Sequence, residues 1–327
     1  MNIKKTAVRA AIGVLCLALT AGFIAESLMA LAQTASSPAM TNSPPTAKSF
    51  ELSTFRDVPV TGRFSASDPD GGALTFEIVM PPKRGALTAT EDGTFIYSPR
   101  ERSRGRDSFT YVAVDSAGNV SDPATVSITV RRQSGRTSYA DMDGNSAAYA
   151  ALVLSENGIF TGEMLGDRHF FRPEMPVTRG EFLAMCLKIS GRDAIPGVTR
   201  TGFYDDESIP MWIKPYVSTA LVSGIIRGYR NADGNLVFSP NSPVTFSEAA
   251  VMLAGALGMD GYVPAMRSDP YIPVWAYGAA ASLHSAGVLR ISGIHGDHIT
   301  RADAAKMLLN SRNLIASGGA SLLGWTR

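Results

Sequence analysis

Between residues 50 and 130 apolar and polar side chains alternate. Leu74, Phe76 and Ile78 share one face of ALTFEIV, and Phe95 pairs with Tyr97 in TFIY. Phe109, Tyr111 and Ala113 alternate through DSFTYVAVD, and Val126, Ile128 and Val130 through ATVSITV. A period of two puts each set on one side of a strand. Turn sequences separate the runs: Asp68-Pro69-Asp70-Gly71-Gly72, Pro81-Pro82, Glu91-Asp92-Gly93 and Ala117-Gly118-Asn119. Short strands with a turn about every ten residues predict an antiparallel β-sandwich. From about residue 138 the period lengthens to that of a helix. A first helix over 146–157 stops at Gly158, which suits the left-handed position after a helix end. A second begins at Thr178 and carries Phe182, Met185, Cys186 and Ile189 at helical spacing.

This helix-loop-helix unit recurs. Residues 139–189 read YADMDGNSAAYAALVLSENGIFTG…FFRPEMPVTRGEFLAMCLKI, and residues 203–257 read FYDDESIPMWIKPYVSTALVSGIIRGY…VFSPNSPVTFSEAAVMLAGAL. Residues 268–311 give a shortened copy, SDPYIPVWAYGAAASLHSAGVLR…HITRADAAKMLLNS. A Gly-hydrophobic pair marks each copy (Gly158-Ile159, Gly224-Ile225, Gly287-Val288), as does a Thr-x-x-acid tetrad at Thr178, Thr245 and Thr300. Units of this size need a neighbour to bury their apolar faces.

The aromatic-then-Asp start, the Gly-Ile-x-x-Gly turn, the Phe-x-Pro loop and the Thr-Arg-x-Glu tetrad together resemble S-layer homology modules over residues 138–312. Those modules fix bacterial surface proteins to the cell wall. The string SASDPDGGALTFEIV…GRDSFTYVAVDSAGNVSDPATVSITV looks like the cadherin-like, immunoglobulin-like repeats of bacterial surface proteins, which serve as stalks or interaction domains. The expected fold is therefore multidomain: an all-β immunoglobulin-like sandwich followed by an all-α pseudo-threefold triplet. The expected order is a signal peptide (1–32), a Ser/Thr/Pro-rich linker (33–49), the sandwich (50–130) and a polar linker (131–137). Repeats at 138–192, 201–260 and 267–312 follow, then a poorly ordered tail (313–327).

The tetrad has a structural meaning by itself. Thr178 with Glu181, Thr245 with Glu248, and Thr300 with Asp303 form capping boxes, in which hydroxyl and carboxylate satisfy free N–H groups at a helix start. Arg179 and Arg301 at the second position are not required by that box. A cation there sits at the positive end of the helix dipole, and a guanidinium beside free helix N–H groups suits a carboxylate or phosphate. The resemblance implies that this Arg contacts an acidic, pyruvate-bearing wall polysaccharide. It also implies that Trp212 and Trp275 line the sugar groove, that Gly162 and Gly228 allow close approach, and that Asp141 and Asp205 match the leading Asp. Trp212 and Trp275 could equally pack between helices, the glycines could serve turns, and the aspartates could cap a turn. The first copy has Ala147 or Ala148 where Trp is expected. Phe246 replaces Arg in the second copy, and the third lacks the Phe-x-Pro loop.

Lys4, Lys5 and Arg9, an apolar run from Ala10 to Ala25, and Ala30-Leu31-Ala32 read as a cleavable secretory signal. An uncleaved membrane anchor is the rival reading. Cleavage leaves Cys186 as the one thiol, so no internal disulfide is expected. The net charge of +1 loses three cations and one anion with the signal, leaving about −1. That gives no basis for nucleic-acid binding. Asp68, Asp70, Asp107 and Asp115 could offer oxygen ligands to calcium, though Asp-Pro-Asp-Gly is also a plain turn. His295-Gly-Asp-His298 resembles half a metal site without a third ligand. No catalytic arrangement stands out. The expectation is a secreted, non-enzymatic surface protein held by a secondary cell-wall polysaccharide or a peptidoglycan-linked glycan, displaying a sandwich whose own partner is open. The alternative is a calcium-dependent adhesion or self-association module in which the sandwich is the active part.

Overall fold

A computed structural model describes residues 42–259, 271–290 and 298–318. The expected signal peptide, residues 33–41 of the first linker, the start of the third repeat, His295 and the tail from 319 lie outside the described residues. Among the described residues no helix is long and apolar enough to cross a membrane.

Nine strands build the N-terminal part: β1 (Thr46–Ala47), β2 (Phe50–Phe55), β3 (Val60–Arg63), β4 (Ala66–Ser67), β5 (Thr75–Met80), β6 (Gly85–Ala89), β7 (Thr94–Pro99), β8 (Gly105–Val114) and β9 (Ala124–Arg131). A four-stranded sheet runs β2-β9-β8-β5, a three-stranded sheet runs β3-β7-β6, and β1 pairs with β4. The alternating residues face inward: Phe95, Tyr97, Tyr111, Ala113 and Val126 are fully buried. Phe64 joins them, with ring centroids 4.8 Å from Tyr111 and 4.9 Å from Phe95. Leu74, Phe76 and Ile78 are half-buried because β5 is an edge strand.

Two details differ from the sequence reading. β2 lies parallel to β9, from Phe50 opposite Val126 to Phe55 opposite Arg131, so the sandwich is not wholly antiparallel. The two strands are joined through the whole domain, so no hairpin constrains their direction. The sandwich also takes in β1, from the segment expected to be linker. There the backbone finds partners without needing apolar side chains, since Lys48 N–H donates to the Ser65 carbonyl at 2.8 Å.

The second linker is pinned. Glu156 accepts from the N–H groups of Ser134 at 2.7 Å and Gly135 at 2.8 Å. Arg131 donates to the Tyr149 hydroxyl at 3.1 Å, and the Tyr149 ring lies 5.3 Å from that of Phe55. Residues 131–137 therefore bridge two packed parts, held to the first helix by two backbone amides and the Arg131 guanidinium.

The C-terminal part contains α1 (Ala148–Glu156), β10 (Glu163–Leu165), β11 (Arg168–Phe170), α2 (Arg179–Ile189), α3 (Lys214–Val222), β12 (Tyr229–Arg230), β13 (Leu236–Val237), α4 (Phe246–Leu257), α5 (Val274–Ser285) and α6 (Arg301–Ala316). It is helical but not all-α, because β10–β11 and β12–β13 form small hairpins inside the first two copies. α6 also extends to Ala316, into the expected tail. Gly158, Gly224 and Gly287 end the first helices with φ of 63°, 73° and 71°. Each first helix packs on the second helix of another copy: α3 on α2, α5 on α4, and α1 on α6. The segments before the second helices close a ring. Val177 N–H donates to Ile299, Ile299 N–H to Val244, and Val244 N–H to Val177, at 3.3, 3.1 and 3.0 Å.

Candidate functional site

All three tetrads close as capping boxes. The Glu181, Glu248 and Asp303 amides donate to the hydroxyls of Thr178, Thr245 and Thr300, at 3.3, 3.2 and 3.1 Å. The carboxylates accept in return from the three Thr amides, at 3.1, 3.0 and 3.1 Å. Each box brings about 1 kcal/mol to its helix.

The second tetrad residue crosses to another copy. Arg179 reaches from the first copy into the second: its Nε donates to the Phe238 carbonyl at 3.0 Å, and a terminal nitrogen meets Glu248 at 2.6 Å. Its guanidinium lies 5.3 Å from the Phe238 ring centroid and 5.8 Å from that of Tyr229. Arg301 reaches from the third copy into the first, where its Nε donates to the Phe171 carbonyl at 2.7 Å and its guanidinium lies 4.4 Å from the Phe160 centroid. The two junctions are built alike but loaded differently. The Arg179 side chain is 7% exposed and its charge is answered by Glu248. Arg301 is only partly buried, and among the described residues no carboxylate stands within ion-pair distance of it. Burial pulls its guanidinium below the ordinary value, against the raising influence of Glu181 and Glu163. The two arginines are equivalent in sequence; the third dimension separates them. At the matching position Phe246 is buried and apolar.

Asp141 and Asp205 do a positioning job. Asp205 accepts from the amides of Phe238 at 2.9 Å and Ser239 at 2.7 Å; Asp141 accepts from Phe171 at 2.8 Å and Arg172 at 2.6 Å. Arg172 and Ser239 hold φ of 57° and 55°, a costly conformation for side chains with a Cβ. The carboxylate thus clamps the Phe-x-Pro turn, and the turn aims the Phe carbonyl at the arginine. Of the two expectations for these aspartates, sugar contact and turn capping, the structure displays the turn contacts and leaves both side chains partly exposed. The bidentate pairing left no trace in their spacing. Gly162 allows close packing of the chain on itself, since a Cβ there would stand 2.2 Å from the Phe170 carbonyl oxygen. Gly228 is similar, with Phe203 at 2.5 Å and a φ of 68°.

Trp212 and Trp275 are 56% and 62% exposed, so neither serves as a buried helix-packing residue. Trp212 precedes α3, whereas Trp275 lies in the first turn of α5. Each stands twelve residues before the glycine that ends its helix, which makes exposed Ser146 the first copy's counterpart. Ala147 and Ala148, expected there, are buried. A Cβ on Gly180, beside Arg179, would touch Ile213, the residue after Trp212. Arg179 and Trp212 therefore share a junction, while Arg301 faces a copy with no Trp.

The four candidate calcium aspartates do not gather. Asp107 is buried in the sandwich and accepts from the Arg84 amide at 2.8 Å, the Tyr97 hydroxyl at 2.9 Å and the Lys83 amide at 3.0 Å. Burial pushes its carboxyl up, but these bonds outweigh burial and leave it below the usual range. Asp115 takes Asn42 and the amides of Ala117 and Asn119 at the far end of the strand. Asp68 and Asp70 share an exposed turn, where Asp70 also accepts from the amide of Ser43, the residue after Asn42. Among the described residues no three His, Cys, Asp or Glu side chains are placed to hold a metal ion.

Comparison with known proteins agrees with this division. Residues 42–132 match the bacterial cadherin-like domain, and residues 202–250 match the S-layer homology domain. The chain is 27% identical over 124 residues to the surface-layer 125 kDa protein of Lysinibacillus sphaericus, covering 37% of this chain and 10% of that one. It is 25% identical over 173 residues to the middle cell wall protein of Brevibacillus brevis, covering 53% and 14%. An amylopullulanase of Thermoanaerobacterium thermosulfurigenes is 29% identical over 120 residues, covering 36% and 6%. The chain thus spans a seventh or less of these relatives' lengths. It joins a bacterial cadherin-like domain to a helical region with an S-layer homology domain, and it is a cell-surface protein.

Proposed function

We propose that the three helix-loop-helix copies act as one pseudo-threefold unit that holds the protein on the cell wall by binding an anionic secondary polysaccharide, pyruvate-bearing as the resemblance implies. The observation that carries this reading is the closed ring through Val177, Val244 and Ile299, with Arg179 and Arg301 each reaching from one copy into another. Arg301 offers a partly exposed guanidinium to an acid group there. Trp212 and Trp275 present open ring faces to the C–H faces of sugars, leaving hydroxyls free at the edges. Weak sites spaced along one polymer raise avidity without new contacts. The sandwich is the displayed module. The surface-layer and cell wall proteins matched above support the same reading.

Co-sedimentation of the full chain with cell walls, before and after acid stripping of the secondary polysaccharide, tests it. Binding lost on stripping is the expected result. Binding that survives stripping moves the ligand to peptidoglycan, and no binding to either wall refutes the anchor.

A further inference from the structure

We propose that an open hollow lined by the exposed side chains of Lys188, Arg192 and Arg312 and by Tyr216, away from the junctions just described, is a second anion site that takes a carboxylate- or phosphate-bearing sugar. The cavity holds about 530 Å³ and has Asp193 as the one carboxylate in its lining. That volume falls within the usual range of small-ligand sites. Lys188 lies nine residues after Arg179 along α2, and Arg312 eleven after Arg301 along α6, which places them roughly 14 and 16 Å from the capped ends.

The cations come from separate segments: Lys188 from the end of α2, Arg192 from the loop after it, and Arg312 from α6. Two of them also serve helix ends. Lys188 donates to the Gly158 carbonyl at 3.4 Å, and Arg192 Nε to the Ala256 carbonyl at 3.0 Å. Those bonds use one donor each and leave the positive charge unanswered. Among the described residues none of the three cations has a carboxylate within ion-pair distance. Helix capping does not account for Arg312, and Tyr216, partly buried against the core, lines the same hollow. Three like charges around one hollow repel, and a bound anion relieves them. An aromatic residue among the cations suits a sugar better than a bare ion.

Calorimetric titration of the full chain with inorganic phosphate, and separately with galacturonate, tests the site at low salt. At least one probe binds in the millimolar range; Arg312→Gln weakens it about fivefold, and Lys188→Gln with Arg312→Gln abolishes it. Arg132→Gln, on the linker, leaves binding unchanged. Stronger galacturonate binding assigns a carboxylated sugar, and stronger phosphate binding a phosphorylated one. No heat from either probe, or equal binding by the double variant, overturns the proposal. Arg312 makes no side-chain bond to the protein among the described residues, so the single variant decides if melting shows the double variant unfolded.

Discussion

Replacing Arg179 by alanine removes the cation that Glu248 faces at 2.6 Å, together with the donor to the Phe238 carbonyl. Breaking a buried ion pair from one side typically costs about 3–5 kcal/mol, because the other charge stays buried. The Glu248 side chain is 28% exposed, so water reaches the orphaned carboxylate and the expected loss is about 3 kcal/mol. Arg301→Ala removes a hydrogen bond and a ring contact but no ion pair, for which about 1–2 kcal/mol is expected. The urea midpoint of the full chain, followed by helical circular dichroism, should therefore fall further for Arg179→Ala than for Arg301→Ala. Wall binding should rank them the other way, with Arg301→Ala the more damaging. A double-mutant cycle of Arg179→Met with Glu248→Gln isolates the pair, since Gln keeps an acceptor for the Thr245 amide. Coupling below about 0.5 kcal/mol, or equal loss in the two alanine variants, would refute the distinction between the junctions.

The other predictions concern the frame around the site. Asp206 receives Lys214 at 2.6 Å, and that bond, with those from Thr201, holds its carboxyl at about 2. Its stabilising effect is thus present above the ordinary carboxylate range and lost as pH falls through about 2. Wild type should melt above Asp206→Asn by a constant margin down to about pH 4, with most of the margin gone by about pH 2; an undiminished margin at pH 2 would contradict the assignment. Gly162→Ala must displace the Phe170 carbonyl, whereas Gly158→Ala meets nothing within 4 Å and bears only its positive φ. The first should cost about 2–3 kcal/mol in urea melts and the second about 1. Asp205→Ala strands the Phe238 and Ser239 amides and should cost about 2 kcal/mol, with Ser239→Gly in the same chain recovering part of it. Cys186 is fully buried, and burial raises its thiol well above the ordinary value. A thiol reagent should label it only in denaturant; fast labelling at Cys186 in the native chain, located by peptide mapping to tell it from Cys16, would show that α2 opens.

Local physics written along the chain made the strand alternation, the turns, the capping boxes and the glycine helix ends legible. Each depends on neighbours within about four residues: period two for Phe109 and Tyr111, a hydroxyl and a carboxylate three apart for Thr178 and Glu181. The junctions, by contrast, were decided in three dimensions. Nothing in the spacing of Arg179 tells that Glu248, sixty-nine residues later, neutralises it, or that Arg301 meets no such partner. The same holds for Asp141 and Asp205, whose carboxylates accept from amides about thirty residues away. The parallel placement of β2 beside β9 likewise joins chain ends that share no turn. Charge pairing, desolvation and long-range backbone satisfaction depend on which surfaces meet, and these surfaces meet only once the helices have closed their ring.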